Sequence, residues 1–79
     1  MRRERYKGQI VVARMHKVRA QPIWHASVFL DRLVKGNWQE IPIIAPELKG
    51  QGFASEESAL ATALDYGRSY VDAFHAPVG

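Results

Sequence analysis

The sequence predicts an α+β domain in which a three-stranded antiparallel β-meander packs on one C-terminal α-helix, in the order β-β-β-α. Three observations predict it. Two long runs rich in β-branched and aromatic residues, Gln9 to Arg19 and Ile23 to Val34, follow one another across a short break. A third, shorter alternation centred on Ile41 and Ile43 begins just after the turn-forming Lys35-Gly36-Asn37. Leu60, Leu64, Gly67, Val71 and Phe74 then recur at helical spacing, which marks the apolar stripe of an amphipathic helix.

The first two strands are joined through Ala20-Gln21-Pro22. A hairpin closing around Ala20 and Gln21 opposes Val11 with Leu30, Ala13 with Val28 and Met15 with Ala26, so one face is wholly apolar. The same register puts Ile10, Val12, Arg14, His16, Ile23, His25, Ser27 and Phe29 on the outer face, with Trp38 and Ile44 added from the third strand. That third strand turns Ile41 and Ile43 inward, and Pro42, which cannot donate to a ladder, makes it a short edge strand. Ala45 to Gly52 reads as a loop, with Pro46, Gly50 and Gly52 as breakers.

The helix is expected from about Ser55 to Phe74. Ser55 suits the N-cap, and Glu56 and Glu57 occupy the first turn, where the helix dipole favours negative charge. Those two carboxylates also exclude a phosphate from the preceding Gly50-Gln51-Gly52, which lacks the residues of a nucleotide loop as well. Asp65, Arg68 and Asp72 fall off the apolar stripe at ion-pair spacing. Gly67, inside the stripe, predicts a close approach of the helix backbone to the sheet. The expected core is Val11, Ala13, Met15, Trp24, Ala26, Val28, Leu30, Ile41, Ile43, Leu60, Ala63, Leu64, Val71 and Phe74. Residues 1–7 read as a basic N-terminal segment and residues 75–79 as a flexible C-terminal tail, the whole of 1–79 being a single domain.

Seventy-nine residues support one thin core. There is no cysteine, hence neither a disulfide framework nor a thiolate metal site, and the expected location is the cytoplasm. No apolar run approaches the roughly 18 residues of a membrane span. The net charge of +3 divides sharply along the chain. Residues 1–35 carry nine basic against two acidic side chains, and residues 36–79 carry two basic against six acidic ones. Such a basic first half points to an anionic partner.

Gly8-Gln9-Ile10, Trp24-His25-Ala26-Ser27-Val28, Phe53-Ala54-Ser55-Glu56-Glu57-Ser58-Ala59 and Gly67-Arg68-Ser69-Tyr70-Val71-Asp72 together resemble a group of short uncharacterised betaproteobacterial proteins with a three-strand meander followed by one helix. The resemblance covers most of the chain and implies that fold, but no activity. Ile44-Ala45-Pro46-Glu47-Leu48-Lys49-Gly50, leading into the helix start, also resembles HicB-type antitoxins. The stretch from Gly50 to Ser55 is shorter here than in that family, and no DNA-binding extension is read after the helix. The strand order with its single C-terminal helix further resembles part of a double-stranded-RNA-binding domain, without that domain's first helix or its lysine-rich second-helix start.

Enzyme chemistry finds little footing. None of Ser27, Ser55, Ser58 and Ser69 sits in a nucleophile elbow, and Glu56 and Glu57 are helix neighbours that point in different directions. His16 and His25 oppose each other, but two imidazoles fall short of the three or four ligands that zinc takes. The expectation is a small non-enzymatic binding domain without cofactor, metal, membrane segment or small-molecule substrate. Its outer sheet face, buried by a second copy, a protein partner or the segment around Tyr6, would carry the function. Binding of RNA or single-stranded DNA through the basic, aromatic first strands is one alternative, since rings stack on bases and arginines meet phosphates. A HicB-like antitoxin is the other. The residues expected at the partner surface are Arg14, His16, Lys17, Arg19, His25, Phe29, Arg32 and Trp38.

Overall fold

The computed structural model describes residues 1–17 and 20–74. It is an α+β fold with four strands, not three: β1 (Arg2–Tyr6), β2 (Gln9–Lys17), β3 (Trp24–Val34) and β4 (Asn37–Pro42), followed by a single helical turn α1 (Pro46–Lys49) and the long helix α2 (Glu56–Phe74). The sheet is an antiparallel meander in the order β1-β2-β3-β4. The expectation for residues 75–79 lies outside the described residues.

The additional strand corrects the reading of residues 1–7 as a segment outside the sheet. Tyr6 pairs with Gln9 and Val34 pairs with Asn37, so β1-β2 and β3-β4 are both closed by two-residue loops. Both loops are Lys-Gly. Lys7 and Gly8 have φ of 49° and 80°, and Lys35 and Gly36 have φ of 51° and 81°. Positive φ at both central residues is the primed turn whose twist matches that of the flanking strands. The same dipeptide therefore makes the same turn twice.

Between β2 and β3 the register is the expected one: Val11 opposes Leu30, Ala13 opposes Val28, and Met15 opposes Ala26. Leu30 in turn opposes Ile41 on β4. Val11, Ala13, Ala26, Val28 and Leu30 are buried beneath Ala59, Leu60, Ala63, Leu64 and Val71 of α2, and Met15, Trp24 and Ile43 are partly buried against them. Ser55 caps α2 as expected, its Oγ accepting from the Ser58 N–H at 3.1 Å. A β-carbon built on Gly67 would lie 2.2 Å from Val11 Cγ1 and 3.0 Å from Val28 Cγ2, so the helix and sheet backbones meet here at a separation that only glycine permits.

Two expected core residues are not in the core. Ile41 is 39% exposed, because α2 lies over β2 and β3 and leaves the β4 edge uncovered. Phe74 is 71% exposed at the end of α2, where its ring packs on Tyr70 with centroids 4.9 Å apart. The segment after β4 is also more ordered than the loop expected from Ala45 to Gly52. Pro46 starts α1, and Leu48 points from it into the core. The chain then returns to β3, where Phe53 exchanges two 2.8 Å backbone hydrogen bonds with Trp24 and is itself buried.

β1 faces α2 through polar side chains. Arg2 donates two hydrogen bonds to Glu57, at 2.9 and 2.7 Å. Glu4 accepts two from Arg68, at 2.9 and 3.0 Å, and the Tyr6 hydroxyl and Lys7 ammonium both reach Asp72. Part of the charge asymmetry along the sequence is thus intramolecular: Glu57 and Asp72 of the second half meet Arg2 and Lys7 of the first, while Glu4 and Arg68 pair in the opposite sense.

Candidate interaction surface

One face of the sheet packs on α2, and the opposite face carries Arg14, His16, His25, Phe29 and Trp38 of the residues singled out from the sequence. Strand alternation puts Arg3 and Arg5 of β1, Ile10, Val12, Arg14 and His16 of β2, and His25, Ser27, Phe29, Asp31 and Leu33 of β3 on this outer side. Trp38, Glu40 and Pro42 join them from β4. The N-terminal segment does not cover this face, since Tyr6 turns to the helix side and packs against the core.

The centre of the face is spanned by ion pairs. Arg14 grips Glu40 with both ends of its guanidinium, Nε to Oε1 at 2.8 Å and Nη2 to Oε2. These hydrogen bonds raise the Arg14 pKa and hold the Glu40 carboxyl below the usual carboxylate range. Arg14 is on β2 and Glu40 on β4, and the register sets Phe29 of β3 between them. A second pair, Arg3 with Asp31, reaches from β1 to β3 across the β2 strand. Val12, on this outer side and flanked by Arg3 and Phe29, is only 1% exposed. Its neighbours on this face are Arg3 and Phe29 across the strands and Ile10 and Arg14 along β2, and long cationic side chains can cover apolar surface while their heads stay in water.

Apolar surface remains at both ends. At one, Leu33 and Trp38 oppose each other and are each 60% exposed. At the other lies an open groove of about 680 Å³, beyond the end of β4. His16 and His25 stand at this groove with stacked rings, centroids 5.4 Å apart and planes inclined by 23°. Phe29, Ile44, Pro46 and Lys49 also line it. The groove exists because the chain leaves the side of β3 after Ile43, whose N–H bonds the Val28 carbonyl, and rejoins it only at Phe53. α1 stands in that excursion.

The eight residues expected at a partner surface are therefore divided. His16, His25 and Phe29 come together at the groove, while Trp38 opposes Leu33, four residues along β3 from Phe29 and so roughly 13 Å away. Arg14 lies on the same face, already engaged by Glu40. Alternation places Lys17 and Arg32 on the helix side of the pleat, where the Lys17 ammonium sits 5.6 Å from the centroid of the Trp24 ring. Arg19 lies outside the described residues. The acidic partners Asp31 and Glu40 were the missing part of the surface. Both stand directly opposite each other on β3 and β4, so the register alone could have revealed them.

Among the described residues no group of three or more His, Asp or Glu is placed to hold a metal ion. No described helix is long and apolar enough to cross a membrane. Comparisons with protein-family models, with curated proteins and with solved structures gave no match.

Proposed function

We propose that this chain is a non-enzymatic interaction domain that binds a protein, in the simplest case a second copy of itself, through the outer sheet face at its Leu33–Trp38 end. The observation that carries this reading is that pair: two large apolar side chains, opposed across β3 and β4 and mostly exposed, on the face that α2 leaves open. Tryptophan is among the residues that dominate binding energy at protein interfaces, and contiguous exposed apolar surface marks such sites. The sheet edges are less suited to a partner. β1 presents the charged run Arg2-Arg3-Glu4-Arg5 and β4 ends in Pro42, both devices that blunt edge pairing.

Nucleic-acid binding has less support. A phosphate reaching Arg14 or Arg3 would have to displace Glu40 or Asp31. Lys17 and Arg32 face the other way.

Sedimentation equilibrium over a range of concentrations tests the proposal. The wild-type chain should populate a dimer, and Trp38→Glu should return it to monomer while leaving the far-UV circular dichroism unchanged. A wild-type chain that stays monomeric at about 1 mM, where even a weak complex worth about 4 kcal/mol is half formed, would overturn the second-copy reading.

A further inference from the structure

We infer that the groove between β3 and α1 is a binding site for a small apolar monocarboxylate. This goes beyond the interaction proposed for the Leu33–Trp38 end and stands independently of it, because the groove lies at the opposite end of the face. Three observations carry it.

The first is size. About 680 Å³ falls within the range of small-molecule sites, which run from about 300 to 1,000 Å³. The second is the lining. Phe29, Ile44 and Pro46 supply apolar walls, with Val28 and Leu48 of the core showing at the base. The third is charge. His16, His25 and Lys49 are the titratable groups that line the groove, and no Asp or Glu lines it. The carboxylates on neighbouring positions have partners of their own: Glu40 is held by Arg14, and Glu47, next to Pro46 and Leu48 on α1, accepts from the Tyr66 hydroxyl at 3.1 Å. The walls therefore select an apolar body, and the titratable side chains at the groove are of the kind that favours an anionic head. A carboxylate would accept from the Lys49 ammonium and the ring N–H groups of the histidine pair, while its hydrocarbon part covers Phe29 and Ile44.

The backbone adds a feature that a flat surface would lack. Trp24 and Val28 both turn their hydrogen-bonding groups toward the β4 side, to Phe53 and Ile43 respectively. Strand alternation turns those of Ala26 to the same side, into the gap where the chain has left the sheet. Ala26 lines the groove, so its peptide dipoles face the site between apolar walls.

The probes are phenylacetate and its neutral isostere phenylacetamide, titrated into the full chain and followed by amide chemical shifts in ¹H–¹⁵N spectra. Phenylacetate should shift the amides of Ser27, Phe29 and Ile44 and bind about tenfold more tightly than phenylacetamide, the factor expected of one charge-assisted hydrogen bond. Lys49→Gln, and separately His16→Gln with His25→Gln, should each erode that preference by several-fold while leaving phenylacetamide unaffected. The same spectra show whether each variant is folded. Equal affinity for acid and amide, shifts that map elsewhere, or a preference that survives both variants would overturn the inference.

Discussion

Replacing Gly67 by alanine sets two well-defined effects against each other. In an exposed helix the change would stabilise by about 1 kcal/mol, because glycine is the poorer helix former. Here the new methyl group would sit 2.2 Å from Val11 Cγ1 and 3.0 Å from Val28 Cγ2. Neither neighbour has room to withdraw: Val11 is fully buried and Val28 nearly so, and β-branched side chains are stiff about their first torsion. Overpacking of a core by a methyl group costs about 1 to 3 kcal/mol, and an overlap with two valines belongs at the upper end. About 3 kcal/mol of overlap less about 1 of propensity leaves a net loss of about 2 kcal/mol. For a domain of this size that lowers the melting temperature by roughly 8 to 16 °C. Urea unfolding followed by circular dichroism at 222 nm measures it directly. Val11→Ala should relieve the clash, so the double variant should be at least about 1 kcal/mol more stable than the sum of the single effects predicts. A Gly67→Ala chain as stable as wild type, or additive behaviour with Val11→Ala, would refute the close-approach argument.

Three further outcomes follow from the fold. Gly8→Ala and Gly36→Ala should each cost about 1 to 2 kcal/mol, since a β-carbon meets nothing within 4 Å at either site and only the left-handed backbone opposes it; thermal melts of the two variants should agree closely. Phe53→Ala should cost about 3 to 5 kcal/mol and free the Trp24 side of the sheet, read as a lowered urea midpoint together with a shift in tryptophan emission. Acid should destabilise the protein through Glu40, Glu57 and Asp72, whose carboxyls are held below their ordinary range chiefly by hydrogen bonds from Arg14, Arg2 and Lys7. Because the folded values are depressed, the stabilisation is complete above the ordinary carboxylate range and is lost as pH falls through and below it. Melting temperatures taken from neutral pH downward should fall in that window, and Arg2→Gln should flatten the decline.

What the sequence made legible was whatever follows a period. The β2-β3 register could be read because alternation with period two lines up Val11, Ala13 and Met15 against Leu30, Val28 and Ala26 about one turn. The α2 stripe, its Ser55 cap and the close approach at Gly67 were equally open, since each rests on local spacing. β1 was hidden because Arg2-Arg3-Glu4-Arg5-Tyr6 has no apolar alternation: its helix-facing side chains meet charged partners on α2, so burial left no hydrophobic trace. The available signal was Lys7-Gly8, the same dipeptide that turns β3 into β4. Ile41 and Phe74 were misplaced because periodicity gives a face but not how far the opposing element extends over it. Alternation also placed Arg14, His16, His25, Phe29 and Trp38 on the outer face, where the register has them. The grouping of Lys17 and Arg32 with them followed charge and ignored the pleat. The groove depends on where β4 stops and on the excursion through α1, a matter of three-dimensional path that no local pattern encodes.

The charged strand β1 shields what lies behind it. β2 contains Ile10-Val11-Val12-Ala13, an uncharged apolar run with three β-branched residues, and a strand of that kind left at a sheet margin offers unpaired backbone groups to another chain. β1 occupies that margin and turns it into an interior position, while its own outward side chains are charged. Proteolytic clipping near Lys7 would therefore do more than remove partners from Glu57, Arg68 and Asp72. It would uncover a sticky border along β2, and the visible result should be precipitation before unfolding.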